Sequence, residues 1–103
     1  MQSVRPVSSL PELYDSATVT RQFQQDGFTH IFQWTDRPSA EYSAHTHSSV
    51  SAHYLFQGEM RVFYPALSET IVYRAGDRFD VPAKLVHAAS VGQQGCTYMI
   101  GEK

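Results

Sequence analysis

After Gly27 the chain breaks into short runs rich in Phe, Tyr, Val and Ile, each closed by a cluster of turn-forming residues. This rhythm restricts the fold more than any other feature, because short aromatic and β-branched runs with regular punctuation are the pattern of an all-β sandwich or barrel. The predicted strands are Phe28 to Thr35, Glu41 to Ala44, Ala52 to Phe56, Met60 to Tyr64, Thr70 to Arg74, Arg78 to Val81, Val86 to Val91 and Cys96 to Ile100. Between them stand Asp36 to Ser39, Gln57-Gly58, Pro65 to Glu69, Ala75-Gly76-Asp77, Pro82-Ala83-Lys84 and Gly92 to Gly95, all with residues suited to turns. So many short strands need closure or two packed sheets, and the consecutive turns predict a hairpin meander. Met60, Val62 and Tyr64 alternate with Arg61 and Phe63, the period of a half-buried strand. Cys96 to Ile100 lacks that alternation, which predicts cover on both faces.

The opening is different. Leu10, Leu13, Val19 and Phe23 allow helical pieces between Ser9 and Asp26, with Ser9 and Glu12 spaced as a capping box and Gly27 placed for a helix C-terminus. With 103 residues the chain has the length of one domain, a helical segment over 1–27 followed by a barrel over 28–103. At 42% hydrophobic and 17% charged residues it is too apolar to stay disordered. A formal net charge of -2, with no basic run, argues against nucleic acid as a partner. Neither a signal-peptide stretch nor an apolar run of membrane-spanning length is present, so the expectation is a soluble cytoplasmic protein with no membrane partner. Cys96, the single cysteine, reads as a buried thiol without catalytic work.

Chemistry concentrates in the histidines. His45 and His47 stand two apart, and on a strand that spacing puts both imidazoles on one face. Two neutral nitrogens aimed at one point suit a divalent transition metal, although an isolated His-x-His is more often a hydrogen-bonded polar patch. His53 shares a strand face with Ser51, and His87 follows the Pro82 turn, so third and fourth ligands are at hand. His30, alternating with Phe28 and Phe32, reads as an ordinary core or surface histidine.

These spacings belong to a larger pattern. His45, His47 and Gly58 fit a motif of His-x-His, Glu and Gly, in which the Glu position, with six residues between it and Gly58, falls on Ser51. Gly76, Pro82 and His87 fit a second motif, with Lys84 where it has a further Gly and Val91 where it has Asn. Over Ser43 to Val91 the chain therefore resembles the cupin superfamily, and Tyr54 to Met60 and Ala75 to Ala83 look like strand and turn pieces of small one-domain cupins. The resemblance implies a cupin-like β-barrel, a double-stranded β-helix or jelly roll. In that family three His and one Glu hold a metal; carried over, the histidines are His45, His47 and His87, and the carboxylate is missing at Ser51. His53 either replaces that ligand or is a barrel-facing histidine bonded to a tyrosine or water. A Glu in the set would favour iron or manganese, whereas an all-imidazole set suits Zn, Cu, Ni or Fe.

Phe32, Trp34, Tyr54, Phe56, Tyr64, Phe79 and Tyr98 are numerous enough to line a pocket, with core packing the ordinary role of most. Asp77 reads as a turn residue, Glu59, Arg61 and Arg78 as surface charges, and the direction of Asp80 hangs on a one-residue register. The expectation is a cupin holding one divalent transition metal (Zn, Fe, Ni, Mn or Cu) through His45, His47, His53 and His87 and acting on a small organic molecule. Oxygenase, isomerase and lyase chemistry are all compatible, since fold does not select reaction. The alternative is a ligand-binding or sensing module without turnover, which the missing Glu favours. The resemblance also implies a homodimer.

Overall fold

A computed structural model describes residues 13–103. Its first element, α1 (Ser16–Gln25), is started by Asp15, whose Oδ1 accepts the Thr18 N–H at 2.8 Å. It ends in a Schellman turn: Gly27 N–H donates to the Gln24 carbonyl and Phe28 N–H to that of Phe23, both at 3.0 Å. Gly27 takes the left-handed conformation at φ 92°, and the Phe23 and Phe28 rings close the turn 5.7 Å apart. The helix is thus shorter than the predicted span, and the capping box at Ser9 and Glu12 lies outside the described residues. Among the described residues no helix is long and apolar enough to cross a membrane.

Six strands follow: β1 (His30–Asp36), β2 (Glu41–His45), β3 (Ser51–Tyr64), β4 (Glu69–Arg74), β5 (Arg78–Val81) and β6 (His87–Glu102). All belong to one antiparallel sheet, with the order β1-β6-β3-β4, β2 beside β6 and β5 beside β3. The sequence reading expected eight strands, and two pairs of them have fused. Gln57-Gly58 and Gly92 to Gly95 do not reverse the chain; they lie inside β3 and β6, where Gly58 pairs with Cys96. Gly58 at φ 86° and Gly95 at φ 77° supply the bends, and the register shifts on both sides of Gly58. A bulge bends a strand without ending its ladder, so both long strands continue.

The predicted meander is corrected too. Among the described residues only β3 and β4 form a hairpin between successive strands; the others pair across long stretches of sequence, as in His30 with Glu102 and His45 with His87. β3 and β6 pair along most of their length, so each runs through two four-stranded layers, β2-β6-β3-β4 and β1-β6-β3-β5. The sheet is not hydrogen-bonded into a closed barrel; it is a jelly-roll sandwich with the core between its layers. Met60, Val62, Tyr64, Ile71 and Tyr73 of one layer bury against Leu55, Phe79, Val81 and Tyr98 of the other. Each such side chain contributes roughly 1.5–3 kcal/mol when taken fully out of water. The predicted alternation of Met60, Val62 and Tyr64 with Arg61 and Phe63 is the observed one. So is two-sided cover on Cys96 to Ile100: Cys96 and Tyr98 face the core, while Met99 packs under α1 with Val19, Phe23 and Phe28.

Arg78, expected at the surface, is only 16% exposed. It binds Asp80 through Nε (3.0 Å) and Asp26 through Nη1 (2.6 Å), tying the end of α1 to β5. With Phe79 and Val81 facing the core, Asp80 takes the helix side of the sheet.

Candidate metal centre

His45 ends β2, and His47 lies just beyond it, so the predicted rule of one strand face does not by itself bring them together. The register of β2 breaks between Tyr42 and His45, and β2 ends at His45. His87 sits directly across from His45. Ring centroids are 4.4 Å apart for His45 and His87, 4.9 Å for His45 and His47, and 5.0 Å for His47 and His87. One nitrogen from each of the three lies within 4.8 Å of the others. His47 is held in place through its own carbonyl, which accepts the Lys84 N–H at 2.8 Å. Lys84 occupies the motif's glycine position and adopts the backbone that explains that glycine, with φ at 66°.

The donor set fits a metal in detail. His45 Nδ1 lies 2.6 Å from the Ser43 carbonyl oxygen and His87 Nδ1 2.9 Å from that of Leu85. A carbonyl only accepts, so each Nδ1 carries the proton and each Nε2 keeps its lone pair for a metal, the usual outer support of ligating imidazoles. Burial pulls the His47 pKa below its ordinary value, helped by His45 and opposed by Glu102. Burial lowers that of His87 as well, against its bond to the Leu85 backbone and together with His45 and His47. Neutral imidazole is the form that ligates.

The three histidines open into a cavity of about 350 Å³ between the layers, walled largely by apolar and aromatic groups. Phe32, Trp34, Phe79 and Tyr98 of the sequence-predicted aromatics line it. Tyr54 and Phe56 instead pack beneath α1, and Tyr64 is core, bonded to the Tyr73 hydroxyl at 3.1 Å. His53 is deep in the same cavity but outside the three-histidine group. It stacks on Phe79 at 4.6 Å, its Nδ1 has no hydrogen-bond partner among the described residues, and burial pushes its pKa down to about 3. Ser51, at the motif's Glu position, is 2% exposed and its hydroxyl is likewise unpartnered among the described residues. His30 is exposed at the start of β1, its ring 4.9 Å from that of Phe32 on the same strand face. Cys96 is buried, with its thiol pushed up to about 12 by burial and by Asp36, in keeping with an inert thiol.

Two features escaped the sequence reading. Asp36, 7% exposed, accepts from Trp34 Nε1 (3.0 Å), the Tyr98 hydroxyl (2.7 Å) and the Tyr42 hydroxyl, and so clamps three cavity-lining aromatics. Burial and this carboxylate raise both tyrosine pKa values, which keeps the hydroxyls protonated. The period of two linking Trp34 and Asp36 was the available signal; Tyr42 and Tyr98 come from other strands. Glu102, next to Lys103, also lines the cavity.

No family model matches the chain, and no curated protein does. Solved structures do. A cupin-2 domain containing protein from Shewanella frigidimarina superposes with a TM-score of 0.61 at 18% identity, over 70% of this chain and 67% of the other. An RmlC-like cupin from the same organism gives 0.59 at 25% identity, over 70% and 62%. The polyketide cyclase RemF from Streptomyces resistomycificus gives 0.62 at 19% identity, over 77% and 58%. Six antiparallel strands in a jelly roll, the His motif spacings and these superpositions together identify the chain as a cupin-superfamily fold.

Proposed function

We propose that this protein binds one divalent transition metal through His45, His47 and His87 and uses it on a small organic molecule held in the cavity between the layers. The observation that carries this reading is the convergence of three imidazole nitrogens within 4.8 Å, two of them with the tautomer set by a backbone carbonyl. Zn, Cu, Ni or Fe suits such a nitrogen set. A metal there supplies a Lewis acid that polarises a bound oxygen and lowers the pKa of a bound water toward roughly 7. The protein's own groups do the rest: Phe32, Phe79 and Tyr98 exclude water, and Asp36 holds Trp34, Tyr42 and Tyr98 in fixed orientations. RemF, one of the structural neighbours, is a polyketide cyclase, so this fold accommodates chemistry on small organic substrates. The reaction type stays open between oxygenase, isomerase and lyase.

The test is metal analysis of protein purified without added metal or an affinity tag. About one metal per chain is expected, lost in His47→Ala because two nitrogens remain where three converged. The metal should leave as the pH falls below the ordinary histidine value of roughly 6.5, when protons take the nitrogens. Because the His47 and His87 pKa values are lowered, retention should extend to the acid side of that value. Negligible metal in the wild type, or equal metal in His47→Ala, would refute the reading in favour of a binding module without a metal.

A further inference from the structure

Glu102 and Ser51 are direct partners across the β3–β6 ladder. In an antiparallel pair, opposite residues project from the same face with Cβ atoms roughly 4.5–5.5 Å apart, so the two side chains are neighbours. Both line the cavity that holds the three histidines. Ser51 contributes a sealed hydroxyl without a partner among the described residues, which is costly unless something occupies the space beside it. Glu102 has the opposite problem. Its side chain is 40% exposed and leans toward His30, with 3.9 Å between Oε1 and Nε2, an exposed contact that contributes little.

From these observations, and resting on the three-histidine metal reading, we propose that Glu102 supplies the carboxylate ligand missing at Ser51, turning inward to the metal while the Ser51 hydroxyl donates to it. The ligand is displaced by one strand: the position that carries Glu in the motif holds a small donor, and the acid comes from the residue facing it. The inward side chain needs only side-chain rotation, because the cross-strand pairing already sets its backbone. In the outward rotamer the carboxylate lies outside the three-nitrogen group. A bound divalent ion flanked by three neutral imidazoles provides an inward pull, and the turn inward also satisfies the orphaned hydroxyl. The resulting set, three nitrogens and one hard oxygen, extends the metal range toward iron and manganese.

Zn(II) affinity, measured by chelator competition, and the visible spectrum of the Co(II)-loaded protein test the assignment without reference to activity. Glu102→Gln, which keeps size and polarity, should weaken Zn(II) binding by about 10-fold or more and shift the Co(II) bands. Ser51→Ala should weaken Zn(II) binding by a smaller factor, and His30→Ala should leave it unchanged or tighter. Circular dichroism on Glu102→Gln checks that the fold is intact, which a half-exposed position permits. Wild-type affinity and an unchanged Co(II) spectrum in Glu102→Gln would overturn the proposal. Loss of affinity in His53→Ala alone would assign the fourth position to His53 instead. Failure of the wild type to bind Zn(II) at all would overturn the three-histidine reading beneath it, whereas retained wild-type binding with an inert Glu102→Gln overturns this inference only.

Discussion

His53 should make the metal-free protein sensitive to mild acid by an amount that follows from its surroundings. Stacked on Phe79 and enclosed by the cavity walls, it has a pKa lowered from 6.5 to about 3 in the fold, with burial as the main cause. The unfolded chain takes up a proton near pH 6.5, while the folded chain refuses it until near pH 3. Stability from this residue is therefore fully present above pH 6.5 and is lost progressively as the pH falls from there toward the folded value. Each pH unit in that window costs about 1.4 kcal/mol, so between pH 7 and 5 the contribution falls by about 2 kcal/mol. Urea unfolding in the presence of EDTA at the two pH values measures it, comparing wild type with His53→Gln, which cannot titrate. Other histidines contribute to both proteins, so the difference between their two pH-dependent losses isolates His53. If His53→Gln loses as much stability as wild type, the imidazole is not held neutral by burial and the reasoning fails.

Gly58→Ala should destabilise the protein by about 3–5 kcal/mol, or prevent folding, because the new Cβ would stand 2.0 Å from the Gly95 carbonyl oxygen at a φ of 86°. Gly92→Ala, whose nearest contact is the Glu59 Cβ at 3.3 Å, should be far milder; equal losses in urea unfolding would contradict the role assigned to the bend. Asp36→Ala strands the Tyr98 hydroxyl in the interior and should cost about 1–3 kcal/mol. It should also alter the fluorescence of Trp34, the one tryptophan, which loses its partner; unchanged stability and emission would remove Asp36 from its clamping role.

The strand content and the three clustered histidines were legible because both depend on local patterns. Alternation placed Met60, Val62 and Tyr64 in the core, and motif spacing singled out His45, His47 and His87. Strand continuity was not legible at Gly58 and Gly95, since a glycine with positive φ serves a bulge as well as a reversal, and only the partner strand decides which. The pairing order was hidden for a related reason: hydrophobic period records which face of a strand is covered, not which strand lies beside it. Asp36 and Glu102 were missed because their meaning arises from neighbours far along the chain, Tyr98 in one case and Ser51 in the other.

The central place of β6 also governs how the fold is assembled. This single strand is the hydrogen-bonding neighbour of β1, β2 and β3, so residues near both ends of the described chain meet in one ladder. Until residues 87–102 have emerged during synthesis, β1 and β2 lack their partner and the histidine of β2 lacks its counterpart. Contacts of such long sequence separation slow folding, because the chain must close large loops before any pairing rewards it. The hairpin of β3 and β4 can form early, but it leaves apolar faces open to other chains in the interval. Late destabilising changes in β6 should therefore reduce yield through aggregation of the nascent protein as much as through loss of equilibrium stability.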